Sequence, residues 1–125
     1  MLNKGHRLRL ERDFKRTFEQ GKGAASAFFV IKWLNRAKND VVDDKLPGAG
    51  PSRFGFVVGK KVARSSVGRH RLKRQMREIV HLMLNNGLIK PNFDVVVVAK
   101  PEAAVVEHAV LAGDFEKLFG KARIC

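Results

Sequence analysis

The chain has 125 residues, enough for one domain with one modest core, and carries 25 Lys+Arg against 12 Asp+Glu. A formal net charge of +13 repels itself in a compact state unless a polyanion offsets it, so nucleic acid and membrane phosphates are the partner classes to weigh. No apolar run approaches the ~20 residues that span a bilayer, and the single cysteine, Cys125, excludes an intrachain disulfide.

The first fourteen residues, MLNKGHRLRLERDF, lack the apolar stretch of a signal peptide, and cytoplasmic residence is expected. Residues 10–20 read as a short helix. Leu10, Phe14 and Phe18 recur at i, i+4 and i+8, and Gly21 is a natural stop. Arg7, Arg9, Arg12, Lys15 and Arg16 surround that stripe. Residues 27–35 alternate as a strand, with Phe29, Ile31 and Trp33 on one face and Phe28, Val30 and Lys32 on the other. Residues 36–52 are polar and contain Pro47, Gly48, Gly50 and Pro51, which predicts a flexible hairpin connection.

A second strand is expected at Arg53–Gly59. Phe54, Phe56 and Val58 share one face; Gly55, Val57 and Gly59 make a small-residue face that something can approach closely. Ser65 or Ser66 caps a long helix that runs to about Leu84. Leu72, Met76, Ile79 and Met83, with Val80 beside them, form its core stripe, and Asn85-Asn86-Gly87 ends it. Residues 93–99, FDVVVVA, suit a strand buried on both faces, in a central or parallel position. Lys100-Pro101 closes it. A last helix fits about Leu111–Ala122. The order α-β-β-α-β-α predicts an α/β (α+β) sandwich with one sheet, a single domain over residues 1–125.

The charge is uneven along the chain. Residues 1–78 hold 20 basic and 7 acidic side chains, whereas residues 79–125 hold 5 of each. Within 60–78 stand Lys60, Lys61, Arg64, Arg69, Arg71, Lys73, Arg74 and Arg77, and Glu78 is the only acid. A merely solvated helix face explains this poorly. Like charges at i, i+3 and i, i+4, such as Arg71/Arg74 and Lys73/Arg77, cost a few tenths of a kcal/mol per pair. Phosphates would neutralise that repulsion, and the planar Arg fork matches them. The helix N-terminus near Val67–Arg69 adds free N–H groups and partial positive charge. Charge density alone does not separate RNA from DNA. A helix-turn-helix needs a compact helical pair, which is lacking here; a ribosomal protein stays open on composition. Phe14 and Phe18 fit either a core or a base-stacking role.

Stand-alone catalysis finds little support. A metal nuclease needs clustered carboxylates, and of the 12 acids only Asp43-Asp44 adjoin. His6, His81 and His108 are scattered, without the spacing of a zinc site. The stretch Gly55-Phe-Val-Val-Gly-Lys60-Lys61 is one residue short of a phosphate-binding loop and lacks its Ser/Thr.

Two stretches carry a family resemblance. Arg53-Phe-Gly-Phe-Val-Val-Gly-Lys-Lys61 followed by Val67-Gly-Arg-His-Arg-Leu-Lys-Arg-Gln-Met-Arg-Glu78 resembles the protein subunit of bacterial ribonuclease P. Arg7-Leu8, Asp13-Phe14, Phe18 and Gly21 fit as well, as does the Asp94 strand ending Ala99-Lys100-Pro101, so the likeness covers nearly the whole chain. The resemblance implies a left-handed strand–helix–strand crossover. It implies a holoenzyme of one RNA and one protein, in which the RNA, with bound magnesium, removes the 5′ leader of precursor tRNA. The protein itself would hold no catalytic residues, no intrinsic cofactor and no metal of its own. The basic helix and its approach (Lys60, Lys61, Arg64, Arg69, His70, Arg71, Lys73, Arg74, Arg77) would grip the catalytic RNA. A cleft between the first helix and the sheet (Phe14, Phe18, Phe28, Lys32, Lys100) would hold the leader. This sequence departs from the family at His70, where Asn is usual, and at Lys32, where a Tyr is common.

Overall fold

The computed structural model describes residues 6–36 and 50–124. Helix α1 spans Glu11–Gln20, strand β1 Lys22–Ala25, β2 Phe29–Asn35 and β3 Arg53–Val57. Helix α2 spans Ser66–Asn85, β4 Phe93–Ala99, a 3-10 helix Pro101–Val105 and α3 His108–Lys121. All the expected elements are present, and the chain adds β1. Lys22-Gly-Ala-Ala25 has no β-branched or alternating signal. It becomes a strand because the edge of β2 offers it a ladder, from Lys22↔Trp33 to Ala25↔Val30.

The strand order β1-β2-β4-β3 corrects the expected hairpin between β2 and β3. The two do not pair. β4 lies between them, antiparallel to β2 and parallel to β3, which is why FDVVVVA is apolar on both faces. Of the connecting segment, residues 37–49 lie outside the described residues. Its ends are fixed, because Arg36 and Ser52 are both buried and hydrogen-bonded.

One face of the sheet packs on α2 and α3. Phe29, Ile31, Phe54, Phe56, Val95 and Val97 meet Leu72, Met76, Ile79 and Val80 of α2 and Leu111, Phe115 and Phe119 of α3. Phe29 and Phe115 meet tilted at 43° with ring centroids 4.3 Å apart, and Phe115 meets Phe119 edge-on at 5.4 Å. Val106, half-buried, joins the same cluster ahead of α3, and α3 begins a turn earlier than expected.

The opposite face carries α1 and a buried ionic network. Asp94, 0% exposed, accepts from Arg36 Nη1 at 2.6 Å, Arg53 Nε at 2.8 Å and Arg53 Nη2 at 2.7 Å. Arg53 also reaches Asp13 on α1 at 3.5 Å, and Asp13 accepts from Arg16 at 3.2 Å. Arg36 further donates to the Pro51 carbonyl at 2.7 Å. No buried side-chain nitrogen or oxygen among the described residues lacks a partner. The hydrogen bond to Asp94 pushes the Arg53 pKa up against the opposing effect of burial, and the nearby charges of Asp94 and Asp13 add to the rise. Asp94 thus ties β4 to β3 and to the end of β2, and Arg53 extends the network to the Asp13 carboxylate of α1.

Candidate nucleic-acid interface

Helix α2 presents its charge as its core stripe dictates. With Leu72, Met76, Ile79, Val80 and Met83 buried, Arg74 stands opposite the core, exposed. Arg69, Lys73 and Arg77, at i, i+4 and i+8, form one flank and are half-buried; Arg71 is exposed on the other flank, and His70 is exposed. Lys60, Lys61 and Arg64 are exposed in the turns ahead of the helix. Arg69 also holds that approach together. Its Nη1 donates to the carbonyls of Ala63 at 3.1 Å and Arg64 at 2.8 Å. Ser65 caps the helix by accepting from the Gly68 N–H at 3.0 Å. No acidic residue stands in the first turn, so the positive end of the helix dipole stays uncompensated beside these cations.

The second face of the sheet is only partly covered. In register across it lie Leu34, Asp94 and Arg53, then Lys32, Val96 and Gly55, then Val30, Val98 and Val57. Helix α1 covers the first two rows through its Asp13–Arg53 contact and through Phe14, whose ring lies over Gly55. The third row is half-buried. Phe18, one turn beyond Phe14, is 41% exposed. Lys32 runs sideways over Gly23 of β1. The register continues past the strand ends, with the Lys100 N–H donating to the Phe28 carbonyl at 2.8 Å.

The five cleft candidates therefore divide. Phe14, Phe18 and Lys32 flank the partly covered face. Phe28 and Lys100 sit at its far end in a turn that is tied down. Phe28 precedes β2 and packs against the core, and its N–H faces Asp114 Oδ2 at 3.4 Å. The Lys100 ammonium donates to the Ser26 carbonyl at 2.5 Å. The Ser26 hydroxyl also donates to Asp114 Oδ2, 88 residues away and so beyond any local pattern.

At the β3 edge the two surfaces meet. Arg7, Leu8 and Arg9 run beside β3, with the Leu8 N–H donating to the Phe54 carbonyl at 2.9 Å. They line a cleft of about 220 Å³ with Phe14, Gly55 and Arg77. In sequence Arg7 and Arg9 stand among charges ahead of a helix, yet their place beside β3 brings them to the α2 flank.

Gly55 makes this cleft possible, because any side chain there would strike the Phe14 ring. Gly55→Ala is expected to cost about 1–3 kcal/mol in urea unfolding, since the ring and α1 must shift. The cost should shrink in a Phe14→Ala background; equal cost in both backgrounds would refute the contact as its cause.

Among the described residues no three His, Cys, Asp or Glu side chains approach closely enough to hold a metal ion, and no helix is long and apolar enough to cross a membrane. Asp13 and Asp94 are already engaged by arginines.

Comparison with known proteins agrees with this architecture. The family model described as Ribonuclease P matches residues 2–123. A ribonuclease P protein component from Cyanothece sp. is 30% identical over 99% of this chain and 97% of its own length. One from Acidothermus cellulolyticus is 35% identical over 97% of this chain and 91% of its own. Among solved structures, the RNase P protein of Thermotoga maritima superposes with a TM-score of 0.71 at 30% identity, covering 89% of this chain and 92% of that one. The RNase P protein of Staphylococcus aureus, at 23% identity, shares the fold with a TM-score of 0.76 over 97% of this chain and 98% of its own. The chain belongs to the ribonuclease P protein family, the protein components of the ribonuclease that processes tRNA.

Proposed function

We propose that the chain grips two RNAs in a ribonuclease P ribonucleoprotein of one RNA and one protein. The basic face of α2, with Lys60, Lys61 and Arg64, holds the catalytic RNA. The partly covered sheet face beside α1 holds the 5′ leader of precursor tRNA. The observation that carries this reading is the shared cleft, in which Phe14 of α1 and Arg77 of α2 line one wall system with Arg7 and Arg9. A strand crossing it would meet an aromatic face for a base and guanidinium groups for phosphates.

Cleavage chemistry, with its magnesium, is assigned to the RNA. The protein contributes binding energy that only a leader-bearing substrate collects, so precursor is held more tightly than mature product. Two features of this sequence modify the grip. His70 donates or stacks where the family has Asn, and Lys32 offers charge where a Tyr would stack.

Reconstitution with ribonuclease P RNA at low magnesium tests the reading. A large gain in leader cleavage over RNA alone is expected, and no gain would overturn it. Phe14→Ala is expected to weaken precursor tRNA binding by about 5- to 150-fold, the loss of about 1–3 kcal/mol of stacking, while mature tRNA binding and RNA assembly persist. Equal weakening of precursor and mature tRNA would remove Phe14 from the leader site.

A further inference from the structure

At the other end of the sheet, four cations surround the chain's single tryptophan. Lys22, Lys90, Lys121 and Arg123 line a groove of about 710 Å³ with Trp33, and among the described residues no acid lines it. It lies where β2 and α3 end and β4 begins, with Trp33, Leu34 and Asn35 on one side and Lys90 to Phe93 on another. The length of β2 sets it about 20 Å from the Phe28–Lys100 end of the open face. Among the described residues none of the four cations has an ion-pair partner.

Charge summed along the chain hides this cluster. Residues 79–125 are balanced at 5 basic and 5 acidic, yet Lys90, Lys121 and Arg123 all converge here, while Asp94 and Asp114 are buried elsewhere.

The backbone of Arg123 is a second observation. Helices α2 and α3 end in the same way. In α2 the Leu88 N–H donates to the Met83 carbonyl at 2.9 Å and the Gly87 N–H to Leu84 at 3.1 Å. In α3 the Ile124 N–H donates to Phe119 at 2.9 Å and the Arg123 N–H to Gly120 at 3.1 Å. The residue after the cap is left-handed in both, at φ 67 for Gly87 and φ 60 for Arg123. Glycine suits that conformation and a residue with a Cβ is strained in it. α3 nevertheless carries Arg there, at the groove. Asn92, the other non-glycine residue of positive φ among those described, lines the same groove.

We propose that this groove binds a single-stranded RNA segment, with phosphates on Lys22, Lys90, Lys121 and Arg123 and one base against Trp33. Cations beside an aromatic face are the combination that single strands use. The concave shape and half-buried Trp33 argue against a membrane, which would want an apolar face that protrudes.

The test reads Trp33 directly, because intrinsic tryptophan fluorescence of the full chain has no other source. Titration with hexauridylate should quench it, with a midpoint that rises with salt. Lys121→Glu with Arg123→Glu should raise the midpoint about tenfold or more, and Lys22→Glu with Lys90→Glu should do the same. Urea unfolding identifies which variants keep the wild-type fold, and either one suffices. No quench, or an unshifted midpoint in a folded variant, overturns the proposal. So does a stronger response to phosphatidylserine vesicles or to polyglutamate than to RNA. Leader cleavage by the reconstituted enzyme reads the opposite end of the sheet, so the groove and the family function fail separately.

Discussion

Asp94→Ala is expected to remove about 3–5 kcal/mol of stability, a large share of the ~5–15 kcal/mol available to a domain of this size. The reason is what the substitution leaves behind. Arg36, 2% exposed, and Arg53 point their guanidinium groups at the Asp94 carboxylate from two sides. Without it, two positive charges face each other inside a low-dielectric layer. Breaking a buried pair costs far more than the pair contributes when intact, because the orphaned charge cannot be hydrated. Urea unfolding followed by circular dichroism measures the loss. Asp94→Asn should fall between wild type and Asp94→Ala, since an amide oxygen still accepts from the arginines. A loss below about 1 kcal/mol for Asp94→Ala would mean that water reaches the site, and the network would then be peripheral to stability.

The largest effect on assembly with ribonuclease P RNA is expected from Arg71→Ala with Arg74→Ala. Both side chains are exposed, and among the described residues neither has a hydrogen bond or ion pair. They lie at i, i+3, so in the free protein they repel by a few tenths of a kcal/mol. The double variant should therefore be as stable as wild type or slightly more so. Its affinity for ribonuclease P RNA should fall at least about tenfold near physiological salt, and the slope of log K against log salt should become shallower by about two. Opposite signs for stability and binding distinguish a phosphate contact from a structural one. Arg69→Ala would not give so clean a result, because Arg69 also ties the approach to α2 through two carbonyls. An unchanged salt slope would remove Arg71 and Arg74 from the RNA contact.

Local periodicity made α2 legible. Its buried stripe fixes the helix phase, and the phase fixes which arginines face outward. The same holds for β4, whose doubly apolar pattern announced a central strand. Neither pattern records which strands are neighbours. β2 and β3 looked like a hairpin because they follow each other, but β4 is the more apolar strand and takes the position between them. The ionic network left one trace, an acid inside FDVVVVA. A charge within a run buried on both faces demands partners. Its partners stand 58 and 41 residues away, beyond any periodic signal. Phe28 shows the limit of alternation. It has the parity of Val30 and Lys32, yet it precedes β2 and turns onto the core beside the Ser26–Asp114 tie.

The central position of β4 also sets when the chain folds during synthesis. Until residue 99 has left the ribosome, only the β1–β2 hairpin can form within the sheet, and an isolated two-stranded ribbon is marginal at best. β3 has no strand to join, α2 has no sheet to pack on, and α1 has nothing to cover. The pairing that closes the sheet, Phe29 with Ala99, joins residues 70 positions apart. The nascent chain thus displays its basic half unfolded, beside ribosomal RNA, before the acids that balance the C-terminal half are made. The sheet can close only once that single valine-rich strand has emerged, well after most of the basic residues.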